Sequence, residues 1–171
     1  RKLAELSKKI ADIEGIIADF AVAKARATHD PGFYKLAEQC AVTLQAGGAS
    51  GLGGMLLRGH VAQSLHRFKE AESIARELVA RRELAFDHGL LGDALADKGK
   101  LTEAITAYQR MIDLRPDLQS YSRVAHVRWL KGDLSGAIEA ARLAARAGGA
   151  ADAESAAWAF ARLAVYEFQA G

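Results

Sequence analysis

The amino-acid sequence predicts an all-α protein built from stacked helical hairpins, and a repeated pattern of side-chain sizes is the main evidence. An alanine returns at a nearly constant interval, and its neighbours return with it. The repeated alanines are Ala37, Ala71, Ala104 and Ala137. A fixed period of this length is typical of arrays in which one supersecondary unit stacks on the next. The chain also has only two prolines, and no segment alternates apolar and polar side chains as a strand would.

Two further positions repeat with the alanine, one bulky and one very small. Three residues before each alanine come Tyr34, Phe68, Leu101 and Leu134. Twelve residues before each alanine come Ala25, Gly59, Gly92 and Ala125. The distance between packed helices depends on the side chains at their contact. The small residues therefore predict that the two helices of each hairpin cross closely at these positions.

The first predicted element is a helix over residues 2–27, because apolar side chains recur there at alternating intervals of three and four. This stripe consists of Leu3, Leu6, Ile10, Ile13, Ile17 and Phe20. It can dock on the next helix of the same chain, which we favour, or pair with another chain. Asp30 and Pro31 then predict a helix start, and Gly47 ends that helix near Ala46.

The glycine-rich segment 47–54 is predicted to be a loop, since it lacks the lysine of a phosphate-binding loop and follows no strand. Beyond it the pattern is regular. The predicted helices are 52–65, 68–82, 85–98, 102–115, 118–131, 135–147 and 152–170. Short turns at His66, Gly99 and Gly132 join the helices of each hairpin, and Pro116 separates two hairpins.

The segment 91–116 resembles the tetratricopeptide repeat (TPR) family. It carries the Leu-Gly pair, the Gly, the Ala, the aromatic residue and the Pro that the family places there: Leu91, Gly92, Gly99, Ala104, Tyr108 and Pro116. The resemblance implies a right-handed superhelical α-solenoid of about four repeats plus a terminal helix. It divides a single domain, residues 1–171, into an N-terminal helical extension 1–17 and the repeats 18–46, 52–82, 85–116, 118–148 and a partial 152–171.

The resemblance also implies where a partner binds, because the first helices of successive TPR hairpins line a concave groove. The groove residues implied are Arg26, His60, Gln63, Asp93, Asp97, Gln119, Ser122, His126 and Trp129. Further positions are Asp19, His29 and Phe86, with Trp158 left open by the longer connection before it. Trp129 is the first choice as an anchor; the alternative is a half-buried packing residue. Capture of acidic chaperone tails is not expected, since the chain contains no asparagine.

Composition narrows the classes of partner. The net charge of +2 is spread over mixed signs, so no basic patch predicts nucleic-acid binding. No run of 18 apolar residues predicts a membrane-spanning helix, and no signal peptide is visible. A cytoplasmic location is slightly favoured, although the start at Arg1 leaves open whether a leader has been removed.

The function predicted is therefore a non-catalytic scaffold that binds a peptide or helix of another protein, without cofactor or metal. No nucleophile–base pair or metal motif is visible. Equivalent His60 and His126 would lie on the order of 10 Å apart per stacked helix, too far to share a metal. Two alternatives remain open. One is a self-assembly module, favoured by the unfinished last hairpin and the apolar stripe of 2–27; the other is a regulatory segment of a larger enzyme.

Overall fold

The computed structural model describes residues 21, 24–25, 28, 30, 32–149 except 47–51, and 153–171, with only the backbone of 44–46. The described residues form eight helices and contain no strand, so the all-α prediction is confirmed. The helices are α1 (Gly32–Ala46), α2 (Leu52–Ser64), α3 (Phe68–Arg82), α4 (Ala85–Asp97), α5 (Leu101–Leu114), α6 (Leu118–Leu130), α7 (Leu134–Ala147) and α8 (Ala153–Ala170). The predicted helix bounds agree to within about two residues. The prediction of a loop over 47–54 is wrong for residues 52–54, which form the first turn of α2, and residues 47–51 lie outside the described residues. The predicted helix 2–27 lies almost entirely outside the described residues.

Caps at the helix starts follow from the local sequence. Asp30 accepts a hydrogen bond from the backbone N–H of Gly32 at 2.8 Å, as expected of a capping aspartate. Asp117 accepts from the N–H of Ser120 at 3.0 Å, and the Ser120 hydroxyl accepts in return from the N–H of Asp117 at 2.9 Å. Asp133 caps α7 with a single bond, accepting from the N–H of Gly136 at 2.9 Å.

The turns inside the hairpins share one backbone conformation. His66, Gly99 and Gly132 occupy equivalent positions in successive hairpins and have φ angles of 59°, 76° and 80°. Only glycine adopts this left-handed region without strain. His66 therefore occupies a position where glycine would be less strained, and its ring packs edge-on against Phe68 with centroids 5.4 Å apart.

The chain divides into two compact units, residues 1–83 and 84–171. Whether they act as the single repeat domain expected from the sequence stays a prediction. In the first unit, α2 packs against both α1 and α3. Ala21, Ala37 and Val61 form its buried cluster. An ion pair of 2.7 Å between Arg67 and Glu38 joins the turn after α2 to α1.

In the 84–171 unit, each helix from α4 to α8 packs against the next. The first helices of the hairpins also touch one another in sequence, α4 against α6 and α6 against α8. A Cβ atom added at Gly92 would overlap the ring of Tyr108, and Ala104 has no exposed surface. Ala125 and Ala137 share one buried cluster. The small residues therefore do mark close helix crossings, as the repeat pattern predicted.

Candidate functional site

The predicted groove residues are divided among three places. Arg26, Asp19 and His29 lie outside the described residues. His60 and Gln63 lie partly buried on α2 of the 1–83 unit. The 84–171 unit holds Asp93 and Asp97 on α4, and Gln119, Ser122, His126 and Trp129 on α6. In this second unit α4, α6 and α8 together form what we call the first-helix face.

The α4–α6 part of this face is organised by a charged pair. Arg123 on α6 donates two bonds of 2.8 Å to the carboxylate of Asp93 on α4, one from Nε to Oδ1 and one from Nη2 to Oδ2. The hydroxyl of Tyr108 donates to the same Oδ1 at 3.0 Å. Such bidentate, charge-assisted bonds are stronger and more directional than neutral ones. Asp93 is thus committed to internal contacts and positions two helices relative to each other.

The electrostatics of this pair follow from its burial. Burial, and then the negative charge and hydrogen bond of Asp93, raise the pKa of Tyr108 well above its ordinary value of 10.0. For Arg123, burial by itself would lower the pKa, but the adjacent Asp93 outweighs that effect and the pKa is raised. Both groups therefore keep their protons at any physiological pH.

The α6–α8 part of the face is an aromatic cluster around one cation, which we call the Arg162 cluster. The guanidinium carbon of Arg162 lies 5.6 Å from the ring centroid of Trp129, 5.8 Å from that of Trp158 and 5.1 Å from that of Tyr166. His126 stacks on Trp129 at 5.9 Å. Cation–π contacts of this kind stabilise by about 0.5–2 kcal/mol each, depending on solvent exposure.

Polar contacts hold the Arg162 cluster in place. One guanidinium nitrogen, Nη2, donates to the Tyr166 hydroxyl at 3.1 Å and lies 3.4 Å from Nδ1 of His126. The indole N–H of Trp129 donates to the side chain of Gln169 at 2.8 Å. Trp129 is half-buried, whereas Trp158 is 51% exposed. Trp158 thus offers the larger free aromatic surface, while the ring of Trp129 packs against His126 and Tyr166.

Arg123 and Arg162 occupy the same register in successive repeats. Each lies three residues after one buried side chain and four residues before another. The bracketing residues are Ser120 and Val127 on α6, and Ala159 and Tyr166 on α8. This register aligns Trp158 with Gln119 of the preceding repeat. That Trp158 lines a binding groove stays a prediction.

The two arginines also reach back to equivalent positions. Arg123 contacts Asp93, and Arg162 contacts His126, which is the counterpart of Asp93 in the next repeat. Where one repeat pairs arginine with a carboxylate, the next pairs it with an imidazole. Partial burial and then the charge of Arg162 lower the pKa of His126, against opposite and smaller effects of Asp97 and Asp93.

The family follows from a direct comparison. The model of the tetratricopeptide repeat matches residues 56–119 and 90–152, which together span more than half of the chain. The chain belongs to the tetratricopeptide repeat family. A search of curated protein sequences gives no significant match.

Solved TPR structures share the fold at low sequence identity. A thermophilic TPR protein from Thermus thermophilus aligns with a TM-score of 0.76 and 16% identity, covering 92% of this chain and 83% of that one. MamA from Desulfovibrio magneticus aligns at 0.59 and 20%, covering 82% and 92%. An O-GlcNAc transferase from Thermobaculum terrenum aligns at 0.61 and 19%, covering 78% of this chain and only 26% of the transferase.

The described part of this TPR chain contains no group of three or more His, Cys, Asp or Glu side chains placed to hold a metal ion. None of its described helices is long and apolar enough to cross a membrane. Two cavities in the 84–171 unit have volumes of about 10 and 110 Å³. Pockets for small organic ligands usually measure about 300–1,000 Å³. Both cavities are therefore smaller than the usual pocket for a small organic ligand.

Proposed function

We propose that this TPR protein is a non-catalytic scaffold that binds an extended peptide or a helix of a partner protein on the first-helix face of α4, α6 and α8. The observation that carries the proposal is the exposed indole of Trp158 beside the exposed ring of His126, both held by Arg162. Exposed aromatic side chains beside polar groups are the usual anchors of protein interfaces. The TPR fold is in general one of protein–protein interaction.

Pre-organisation supports the same proposal. The Asp93–Arg123 pair joins α4 to α6, and Arg162 with Gln169 joins α6 to α8. A surface whose side chains are already ordered loses less conformational entropy when a partner binds. The residues predicted from the family resemblance thus divide into two roles. We assign Asp93 and Trp129 to shaping the face, and His126 and Trp158 to contacting the partner.

The experiment is a peptide selection followed by affinity measurement. Random short peptides displayed on phage are selected against the immobilised protein, and the selected peptides are measured by calorimetry with wild type, Trp158→Ala and Leu143→Ala. Leu143 is a matched control because it is an exposed apolar residue on the second helix α7. We expect Trp158→Ala to weaken binding at least tenfold, since truncating an aromatic anchor costs about 2 kcal/mol or more. Equal loss in Leu143→Ala, or none in Trp158→Ala, would refute the assignment.

A second candidate function is self-assembly through α8. Phe160 and Phe168 on this helix are 57% and 87% exposed, and Val165 is also exposed, while Ala159 and Tyr166 form the buried side. Contiguous apolar surface of this kind marks interaction sites or aggregation-prone faces. Sedimentation of wild type and Phe168→Glu over a hundredfold concentration range tests it. A wild type that dimerises and a variant that does not would support self-assembly, and a monomeric wild type at high concentration would exclude it.

The third possibility, a regulatory segment of a larger enzyme, stays a prediction. The likeness to a part of an O-GlcNAc transferase is a likeness in fold, at 19% identity. The partner-binding proposal does not require a catalytic pair on the first-helix face.

A further inference from the structure

The Arg162 cluster contains a cation whose charge is not balanced within the described part of the chain. In the preceding repeat, Arg123 has the same register and is neutralised by Asp93 at 2.8 Å. Arg162 instead meets the imidazole of His126 and three aromatic rings. Among the described residues, no carboxylate forms an ion pair with it. The repeat that contains α8 thus has the equivalent arginine, Arg162, but no carboxylate in the position that Asp93 has next to Arg123.

Burial makes this imbalance costly. Arg162 is only partly exposed, and its buried Nε atom has no hydrogen-bond partner. A partly desolvated charge without a counter-charge is unfavourable, and a carboxylate that approaches it gains from the same low dielectric. The pKa of the neighbouring His126 is lowered by burial and then by the positive charge of Arg162, while Asp97 and Asp93 on α4 act in the opposite direction. Because no carboxylate among the described residues pairs with Arg162, an anion that reaches its guanidinium is favoured there.

We propose that Arg162 and His126 form a subsite for a carboxylate side chain, Asp or Glu, of the partner peptide. The partner supplies the charge that Asp93 supplies to Arg123 in the preceding repeat. Trp158, exposed beside Arg162, packs against the peptide next to the acidic residue. The inference rests on the proposed function, because it names the chemistry that the first-helix face recognises.

The first test uses two capped peptides, acetyl-(Ala-Glu-Gly)₃-amide and the same peptide with glutamine in place of glutamate. Binding is followed by NMR at constant ionic strength, through the His126 ring and the indole N–H of Trp158. We expect saturable shifts with the glutamate peptide and at least tenfold weaker binding of the glutamine peptide. Arg162→Gln should abolish this preference, and Arg146→Gln, an exposed arginine on α7, should keep it.

The second test places the missing acid inside the protein. His126→Asp sets a carboxylate opposite Arg162, as Asp93 stands opposite Arg123. We expect this variant to lose the preference for the glutamate peptide and to melt at a higher temperature than wild type, because the charge is now neutralised internally. The His126→Asp experiment still tests the carboxylate subsite if Arg162→Gln fails to fold.

Three results would overturn the carboxylate subsite. The first is equal affinity of wild type for the two peptides, and the second is an unchanged glutamate preference in His126→Asp. The third is a stronger shift with a phosphoserine peptide than with the glutamate peptide, which would indicate a phosphate-binding site. If wild type binds the two peptides with equal affinity and Trp158→Ala binds both more weakly, the carboxylate subsite is excluded but the first-helix face remains a binding surface. Whether the first-helix face binds peptides at all is tested separately, with the phage-selected peptides.

Discussion

One methyl group added at Gly92 on α4 should disturb the packing of the 84–171 unit. An ideal Cβ atom there would overlap Cε1 and Cδ1 of Tyr108 and lie 2.9 Å from its Cζ, closer than real Cβ contacts occur. The ring is 5% exposed, and its hydroxyl is tied to Asp93 at 3.0 Å. The ring therefore cannot move aside without breaking that bond.

The change in the free energy of unfolding expected for Gly92→Ala is the sum of three effects. Overpacking costs about 1–3 kcal/mol. Losing a hydrogen bond to a charged group adds about 1.5–3 kcal/mol. The better helix propensity of alanine returns about 1 kcal/mol. We expect a net destabilisation of roughly 2–4 kcal/mol, a fall in the thermal midpoint of on the order of 10–25 °C for a unit of this size.

The assay is thermal and urea unfolding followed by circular dichroism, with Gly53→Ala as the matched control. Gly53 is also helical, but no heavy atom lies within 4 Å of its ideal Cβ, so alanine there should be neutral or stabilising. In a Tyr108→Leu background, Gly92→Ala should cost much less than in wild type. A Gly92→Ala protein with the wild-type midpoint would refute the close crossing of α4 and α5.

Three further predictions concern the turn and the titratable groups. Gly99→Ala should destabilise the protein by about 1 kcal/mol, because φ of Gly99 is +76° although the added Cβ has open space. Gly149→Ala is the control and should not destabilise, because Gly149 has open space and no positive φ. Chemical denaturation of both variants checks this. Because the folded pKa of Tyr108 is raised, unfolding should become easier as the pH rises above 10.0, the pKa expected for the unfolded chain, and Tyr108→Phe should flatten this slope in alkaline urea titrations. Because the folded pKa of His126 is lowered, its contribution is present above pH 6.5 and is lost as the pH falls from 6.5 towards the folded pKa. His126→Gln should remove that part of the pH dependence, and an identical acid profile for the variant and wild type would contradict it.

The repeat pattern allowed the helices and their crossings to be predicted because those features depend on local side-chain size. Gly92 and Ala104 recur at fixed intervals, and the structure places Gly92 against the ring of Tyr108 and buries Ala104 completely. Asp30 was predicted as a cap from the sequence and caps its helix. Asp117 was recognised as a cap only in the structure. Caps and small residues at helix crossings can be recognised without knowing which side chain of another helix lies against them.

The site was less accessible to sequence reasoning. Asp93 was expected to meet a partner, yet it bonds Arg123 of the next repeat and Tyr108. Arg162 was not predicted to be a site residue. Its equivalence to Arg123 could have been recognised only if the length of the connection before α8 were known. His126 and Trp129 lie on α6, as predicted, but their stacking on each other and the contact of Trp129 with Tyr166 were not foreseen.

What the sequence by itself determined about this protein is the kind of architecture: a repeat of nearly constant length, helices that cross at small side chains, and membership of a family of interaction scaffolds. Only the tertiary structure decided which charges are already paired. Arg123 and Arg162 look alike along the chain, but one lies against a carboxylate and the other against an imidazole and aromatic rings. The physical reason is that charge balance is set by distances between residues in different repeats, which depend on how consecutive helices are stacked and not on any local pattern.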